Sequence, residues 1–101
     1  MVKHIVLFKL ADEAEGNVKL RNAEIIKEQL EALKEIIPQI RKIHVHINSA
    51  KAPADNCDVL LDSEFDNLDD VKSYSVHPAH VKVGEFIGRV RVSRAAIDYE
   101  F

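Results

Sequence analysis

The sequence has no tryptophan, one cysteine, three prolines and three glycines. The lone Cys57 cannot close an internal disulfide, which fits a reducing, cytoplasmic setting. Its place at the head of an apolar segment reads as a small packed side chain before it reads as a nucleophile. So few prolines and glycines exclude collagen-like and linker-dominated chains. No apolar run nears the ~20 residues of a spanning helix, and Ile5 to Phe8 is too short for a secretion signal, so neither membrane insertion nor export is expected. Basic charge is not in excess either. The formal net charge of −3 argues against nucleic acid and against a polybasic membrane contact, both of which need clustered Lys and Arg. Also missing are a Gly-rich phosphate loop, a Ser-His-Asp arrangement and a paired-carboxylate motif. His44 with His46, and His77 with His80, are spaced like ligand pairs, but neither brings a firm third ligand. No metal and no cofactor is expected.

What remains is ordinary globular material. The 101 residues are 47% hydrophobic and 31% charged, enough for one domain over residues 1–101. A chain of this size buries roughly 65% of the surface its unfolded form exposes, and needs no staple. Val2 to Leu10 reads as a strand with Val2, Val6, Phe8 and Leu10 on one face and Ile5 and Leu7 on the other. From Asn17 to Ile37 the period becomes helical, with Leu20, Ala23, Ile26, Leu30, Leu33 and Ile37 as the apolar stripe and Pro38 as the stop. Ile40 to Asn48 alternates, with Ile43, Val45 and Ile47 opposed to Lys42, His44 and His46. Ser49 to Asn56 is a loop by composition. Cys57 to Phe65 is a third strand, with Val59, Leu61 and Phe65 inward. Asp66 to Ser75 is a short helix with Asn67 or Asp66 as its cap. Pro78 opens another helix that carries Val81, Val83, Phe86 and Ile87 and ends near Gly88. Arg89 to Phe101 is the last strand. Its Arg89, Arg91 and Arg94 are expected on a solvated face, with Asp58, Asp62 and Glu64 as partners.

The order is β-α-β-β-α-β, the α+β ferredoxin-like split βαβ pattern with a four-stranded antiparallel sheet and helices on one face. Two helical regions cover one face of such a sheet. Ile5, Leu7 and the apolar residues of the last strand then lie on a bare second face, where each forfeits roughly 1.5–3 kcal/mol of burial. A patch of that kind marks an interface, and the simplest cover is a second copy related by a two-fold axis. A homodimer is expected.

The opening Val-Lys-His-Ile-Val-Leu-Phe-Lys (Val2 to Lys9), Ile36-Ile37-Pro38, Phe65, the stretch Tyr74-Ser-Val-His77-Pro78-Ala79-His80-Val81, and Asp98-Tyr99 resemble the stress-responsive dimeric α/β-barrel (Dabb) family along essentially the whole chain. The resemblance implies a dimeric α/β barrel, in which the sheets of two subunits form a barrel-like centre. The family's known roles include plant stress proteins and a plant polyketide cyclase. The cyclase pocket, between sheet and helices, is lined by groups that match His4, Tyr74 and His80. Its catalytic base is the second His of the His-Pro-Ala-His element, so the resemblance makes His80 the candidate base. Phe8, Leu30, Val59 and His77 complete the expected wall. Leu30 and Val59 stand where the cyclase carries a Tyr and a His, so the pocket here is more apolar. The absence of Trp disfavours haem-degrading relatives of the same fold.

An imidazole near neutral pKa can take a proton from a carbon beside a carbonyl. A tyrosine hydroxyl can hold that imidazole in one tautomer or polarise the carbonyl. In this reading His80 is the base, Tyr74 orients it and His4 binds the substrate oxygen. The plainer reading makes His77 a helix cap, His80 a backbone-bonded histidine, His4 a satisfied core residue and Tyr74 an edge of the core. Three function classes follow: a homodimer holding a small apolar or carbonyl ligand, an acid–base cyclase or lyase acting on a carbonyl compound, and a non-catalytic structural stress protein.

Overall fold

The structure is a computed structural model that describes residues Met1–Phe101. Strand β1 (Val2–Leu10) lies inside a four-stranded antiparallel sheet, between β5 (Val59–Phe65) and β6 (Arg91–Glu100), with β4 (Lys42–Ile47) beyond β5. Alternation sorts β1 as the sequence implies: Val2, His4, Val6, Phe8 and Leu10 are buried, and Leu7 faces out. Helix α1 (Lys19–Ala32), followed by a 3₁₀ turn over Leu33–Glu35, and helices α2 (Leu68–Val76) and α3 (Pro78–Val90) pack on that face, and their buried residues join Ile43 and Val45 of β4 and Val59, Leu61 and Phe65 of β5 in one core. The fold class is the expected α+β ferredoxin-like one.

Several boundaries differ from expectation. The segment before α1 is not a helix entry but a small hairpin, β2 (Glu13–Ala14) against β3 (Asn17–Val18). Glu15 and Gly16, at φ 52° and 76°, make its turn, and positive φ at both central residues is what tight hairpins require. Asn22, fully buried, holds the hairpin to α1: its Nδ2 donates to the Ala14 carbonyl (3.0 Å) and its Oδ1 accepts from Asn17 Nδ2 (3.2 Å). Leu20, expected in the buried stripe, lies in the first turn of α1 and is 59% exposed, and the buried face is carried by Asn22, Ala23, Ile26 and Leu30. Helix α3 runs through Gly88, since burial of Val83, Ile87 and Val90 on one stripe outweighs a glycine stop signal. The last strand therefore begins at Arg91, and Val81 lies exposed on the outer side of α3.

The helix junction is built by two caps. Asn67 accepts the Asp70 amide at 2.8 Å and starts α2. His77 Nδ1 accepts the Ala79 amide at 3.0 Å, and Pro78 takes the first position of α3, where a missing N–H costs nothing.

The outer sheet face divides into two halves. On one, Lys3 Nζ bridges Asp62 (2.7 Å) and Glu64 (2.9 Å) beside Lys42, His44 and His46. These ion pairs correct the expected partnership of Asp62 and Glu64 with the C-terminal arginines, and Asp58 pairs instead with Lys19 at 3.5 Å. The other half is apolar: Ile5 and Leu7 adjoin Ala95, Ile97 and Tyr99 across the β1–β6 ladder. All ten residues of β6 are exposed.

Candidate functional site

On the helix-facing side, at the β6 end of the sheet, lies a cavity of about 140 Å³. Strand β1 supplies its floor with His4, Val6 and Phe8; α1 contributes Leu30; α3 contributes His80, Gly84 and Ile87; and β6 contributes Arg91 and Arg94. The strand period that buries Val6 and Phe8 also brings His4 inward, where it is 7% exposed. His80 arrives in the first turn of α3 because the His77 cap and Pro78 set that helix's start.

Both imidazoles are held through Nδ1. His4 Nδ1 lies 2.5 Å from an Asp98 carboxylate oxygen, the residue paired with it on β6. A carboxylate only accepts, so Nδ1 carries a proton in this contact, and Nε2 is the ring nitrogen that the bond leaves unused. His80 Nδ1 donates to the Ser75 carbonyl at 3.0 Å, and the same reasoning leaves Nε2 as its base. Burial pushes the His80 pKa below its ordinary value, with the Ser75 hydrogen bond opposing and the charges of His4, Arg94 and His77 adding to the effect. His80 is therefore a neutral base at pH 7.

Tyr74 has a different part from the one expected. Its ring is fully buried, 4.3 Å from the His80 ring centre and 5.1 Å from that of Phe65, and it meets His4 edge-on. The hydroxyl has no hydrogen-bond partner. It does not orient His80; the Ser75 carbonyl does. Burial drives the Tyr74 pKa well above the ordinary phenol value, with the Arg94 charge opposing, so the hydroxyl stays neutral.

Of the residues expected around the pocket, His4, Phe8, Leu30 and His80 line the cavity. Tyr74 backs the imidazoles from within the core, Val59 is buried beside Phe8 on β5, and His77 is occupied as a helix cap. Arg91 and Arg94 were expected on a solvated strand face, yet both border the opening. A groove of about 330 Å³ runs between the start of α1 and the loop after β4, walled by Leu20, Ala23, Ile47 and several alanines. Its ionisable groups, Lys19 and Asp58, are paired with each other, so it offers less chemistry than the smaller cavity. No three or more His, Cys, Asp or Glu side chains gather where they would hold a metal ion, and no helix is long and apolar enough to cross a membrane.

A four-stranded antiparallel sheet in the order β4-β5-β1-β6, helices on one face and a histidine-lined cavity beneath them define a ferredoxin-like α+β protein. The chain belongs to the stress responsive A/B barrel domain family (Dabb), which matches residues 2–101. It is 25% identical to a stress-response A/B barrel domain-containing protein of Arabidopsis thaliana, over 98% of this chain and 46% of that protein. The chain thus spans about half the length of that curated relative. Among solved structures, it is similar to a dimeric protein of unknown function with a ferredoxin-like fold from Bacteroides fragilis. That match has 49% identity and a TM-score of 0.88, and covers 99% of this chain and 95% of the other. A dimeric ferredoxin-like protein of unknown function from Thermobifida fusca matches in fold, with 24% identity, a TM-score of 0.82 and coverage of 99% and 90%.

Proposed function

We propose that this chain acts as a homodimer that holds one small carbonyl-bearing ligand per subunit in the cavity bordered by His4 and His80. The observation that carries the reading is the pair of anchored imidazoles. Each spends its Nδ1 proton on a fixed oxygen, which leaves Nε2 as the ring's remaining polar atom. Val6, Phe8, Leu30 and Ile87 suit the apolar part of a ligand. The dimer is supported by the apolar half of the outer sheet face, by the exposure of β6 along its length, and by the dimeric state of the Bacteroides fragilis relative. The family description supports a role in a stress response, and the single cysteine supports a cytoplasmic setting.

The neutral, tautomer-fixed His80 favours a second reading, acid–base chemistry on that ligand. Its Nε2 would remove a proton from a carbon beside the carbonyl and return it. Titration of the protein with small carbonyl compounds, acetoacetate and methyl acetoacetate among them, tests the first reading. At least one should shift the His80 ring resonances and lose affinity in His80→Ala. No shift with any of them would overturn the pocket. Deuterium exchange at the acidic carbon faster than in buffer alone, returned to the buffer rate in His80→Ala, is the result expected if the chemistry occurs. Exchange unchanged by that substitution would rule His80 out as the base.

A further inference from the structure

The chain has five arginines. Three are matched to carboxylates: Arg21 to Glu24 and Glu28, Arg41 to Asp66, and Arg89 to Glu15. The two that form no ion pair, Arg91 and Arg94, are the two that border the His4–His80 cavity.

Strand alternation alone would separate them, because residues three apart point to opposite faces. A bulge removes the conflict. Phe8 pairs with Arg94 and Lys9 with Ser93, but Leu10 pairs with Arg91, so Val92 is the extra residue. Phe8 and Leu10 are both buried on the helix-facing side, and Arg91 and Arg94 come to that side together. Bulges beside functional sites re-aim side chains in this way. No carboxylate lines the cavity. The nearby Asp98 is already engaged by His4. Two guanidinium groups at one opening, neither ion-paired to a carboxylate, repel each other, and an anion placed between them relieves the repulsion. Their planar donors suit a carboxylate.

We propose that the ligand is a short oxo carboxylic acid, its carboxylate on Arg91 and Arg94 and its carbonyl end turned toward His80. This rests on the reading of the cavity as a carbonyl pocket and adds the charge and size of what enters. A volume of about 140 Å³ compares with the ~150 Å³ cavity that admits benzene, so the enclosed part of the ligand has about six non-hydrogen atoms. In the acid–base step, His80 Nε2 takes a proton from the carbon beside the ketone. The C–H electron pair moves onto the carbonyl oxygen as an enolate, and the proton returns to carbon, with no other reagent required.

Calorimetric titration of the full chain with acetoacetate and with its neutral methyl ester tests the proposal. The acid should bind tenfold or more tighter than the ester, a ratio in line with charge-assisted hydrogen bonds, and its affinity should fall with added salt. The double substitution Arg91→Gln with Arg94→Gln should bring the acid down to the level of the ester and leave the ester unchanged. Both side chains are exposed, so the fold should tolerate the change, and an unaltered far-UV circular dichroism spectrum checks that it does. Equal binding of acid and ester would overturn the anion site while leaving the carbonyl pocket standing. Inorganic phosphate binding as tightly as acetoacetate would overturn the oxo-acid assignment. Binding of neither organic probe would remove both readings.

Discussion

Replacing Tyr74 with Phe should stabilise the protein. The Tyr74 ring is fully buried between Phe65 and His80, and its hydroxyl has no hydrogen-bond partner. An unpaired buried polar group carries a desolvation cost of about 1–3 kcal/mol. Tyr74→Phe removes the oxygen while keeping the ring and its packing, so most of that cost is relieved. In a domain of this size each 1 kcal/mol moves Tm by about 4–8 °C, so a rise of roughly 4 °C or more is expected by calorimetry, with a matching increase in the urea midpoint and an unchanged m value. A gain in stability on removing a buried group from beside the two imidazoles is the pattern of a site that keeps a polar atom at the expense of the fold. A fall in Tm of similar size would refute the reasoning, because it would mean that the hydroxyl makes a bond worth keeping.

Acidification should destabilise the fold through His80. Its folded pKa is depressed from 6.5, chiefly by burial, so the unfolded chain binds the proton more readily. The contribution is complete above pH 6.5 and is lost as pH falls from there toward the folded value. Tm measured from pH 7.5 to 5.5 should fall in the native chain and fall less in His80→Gln; equal slopes would contradict the assignment. Ile97→Lys, on the exposed apolar half of the outer face, should convert a dimer to a monomer in sedimentation equilibrium, since a buried isoleucine is worth about 1.5–3 kcal/mol per subunit. A dimer that survives the substitution would place the interface elsewhere. Asn22→Ala should cost about 1–3 kcal/mol, because it removes the side-chain bonds that tie the Ala14 carbonyl and the Asn17 amide group to α1. It should also speed amide exchange in β2 and β3, and unchanged exchange there would show that the hairpin stands without it.

The sheet was legible because Val2, Val6, Phe8 and Leu10, or Val59, Leu61 and Phe65, keep strict parity over several residues, and only one register buries them all. The helix junction was legible for a similar reason: Asn67, His77 and Pro78 each have one backbone position that suits them. The hairpin before α1 was not, since glutamate carries no signal for the positive φ at Glu15, and the Asn22 bonds that hold the hairpin reach it from the next helix. Gly88 misled because local propensity is weaker than burial of Val90. In the cavity, His4 and His80 stood out by residue type and resemblance. Arg91 and Arg94 did not, because their shared direction depends on a bulge between Lys9 and Leu10 that no sequence period reveals. Tyr74 was found as a residue but not in its role: its spacing from His80 brings the rings together, while the Ser75 carbonyl takes the hydrogen bond that a tyrosine hydroxyl was expected to make.

The proposed function depends most on the protonation pattern of the two cavity imidazoles, and nitrogen-15 NMR of the histidine rings reads it directly. At pH 7.5 His80 should be the neutral Nδ1–H tautomer with an unprotonated Nε2, and adding acetoacetate should move the Nε2 resonances of His80 and His4 while leaving those of His44 and His46 in place. A proton found on Nε2 of His80, or cavity resonances that ignore every carbonyl compound tried, would contradict it.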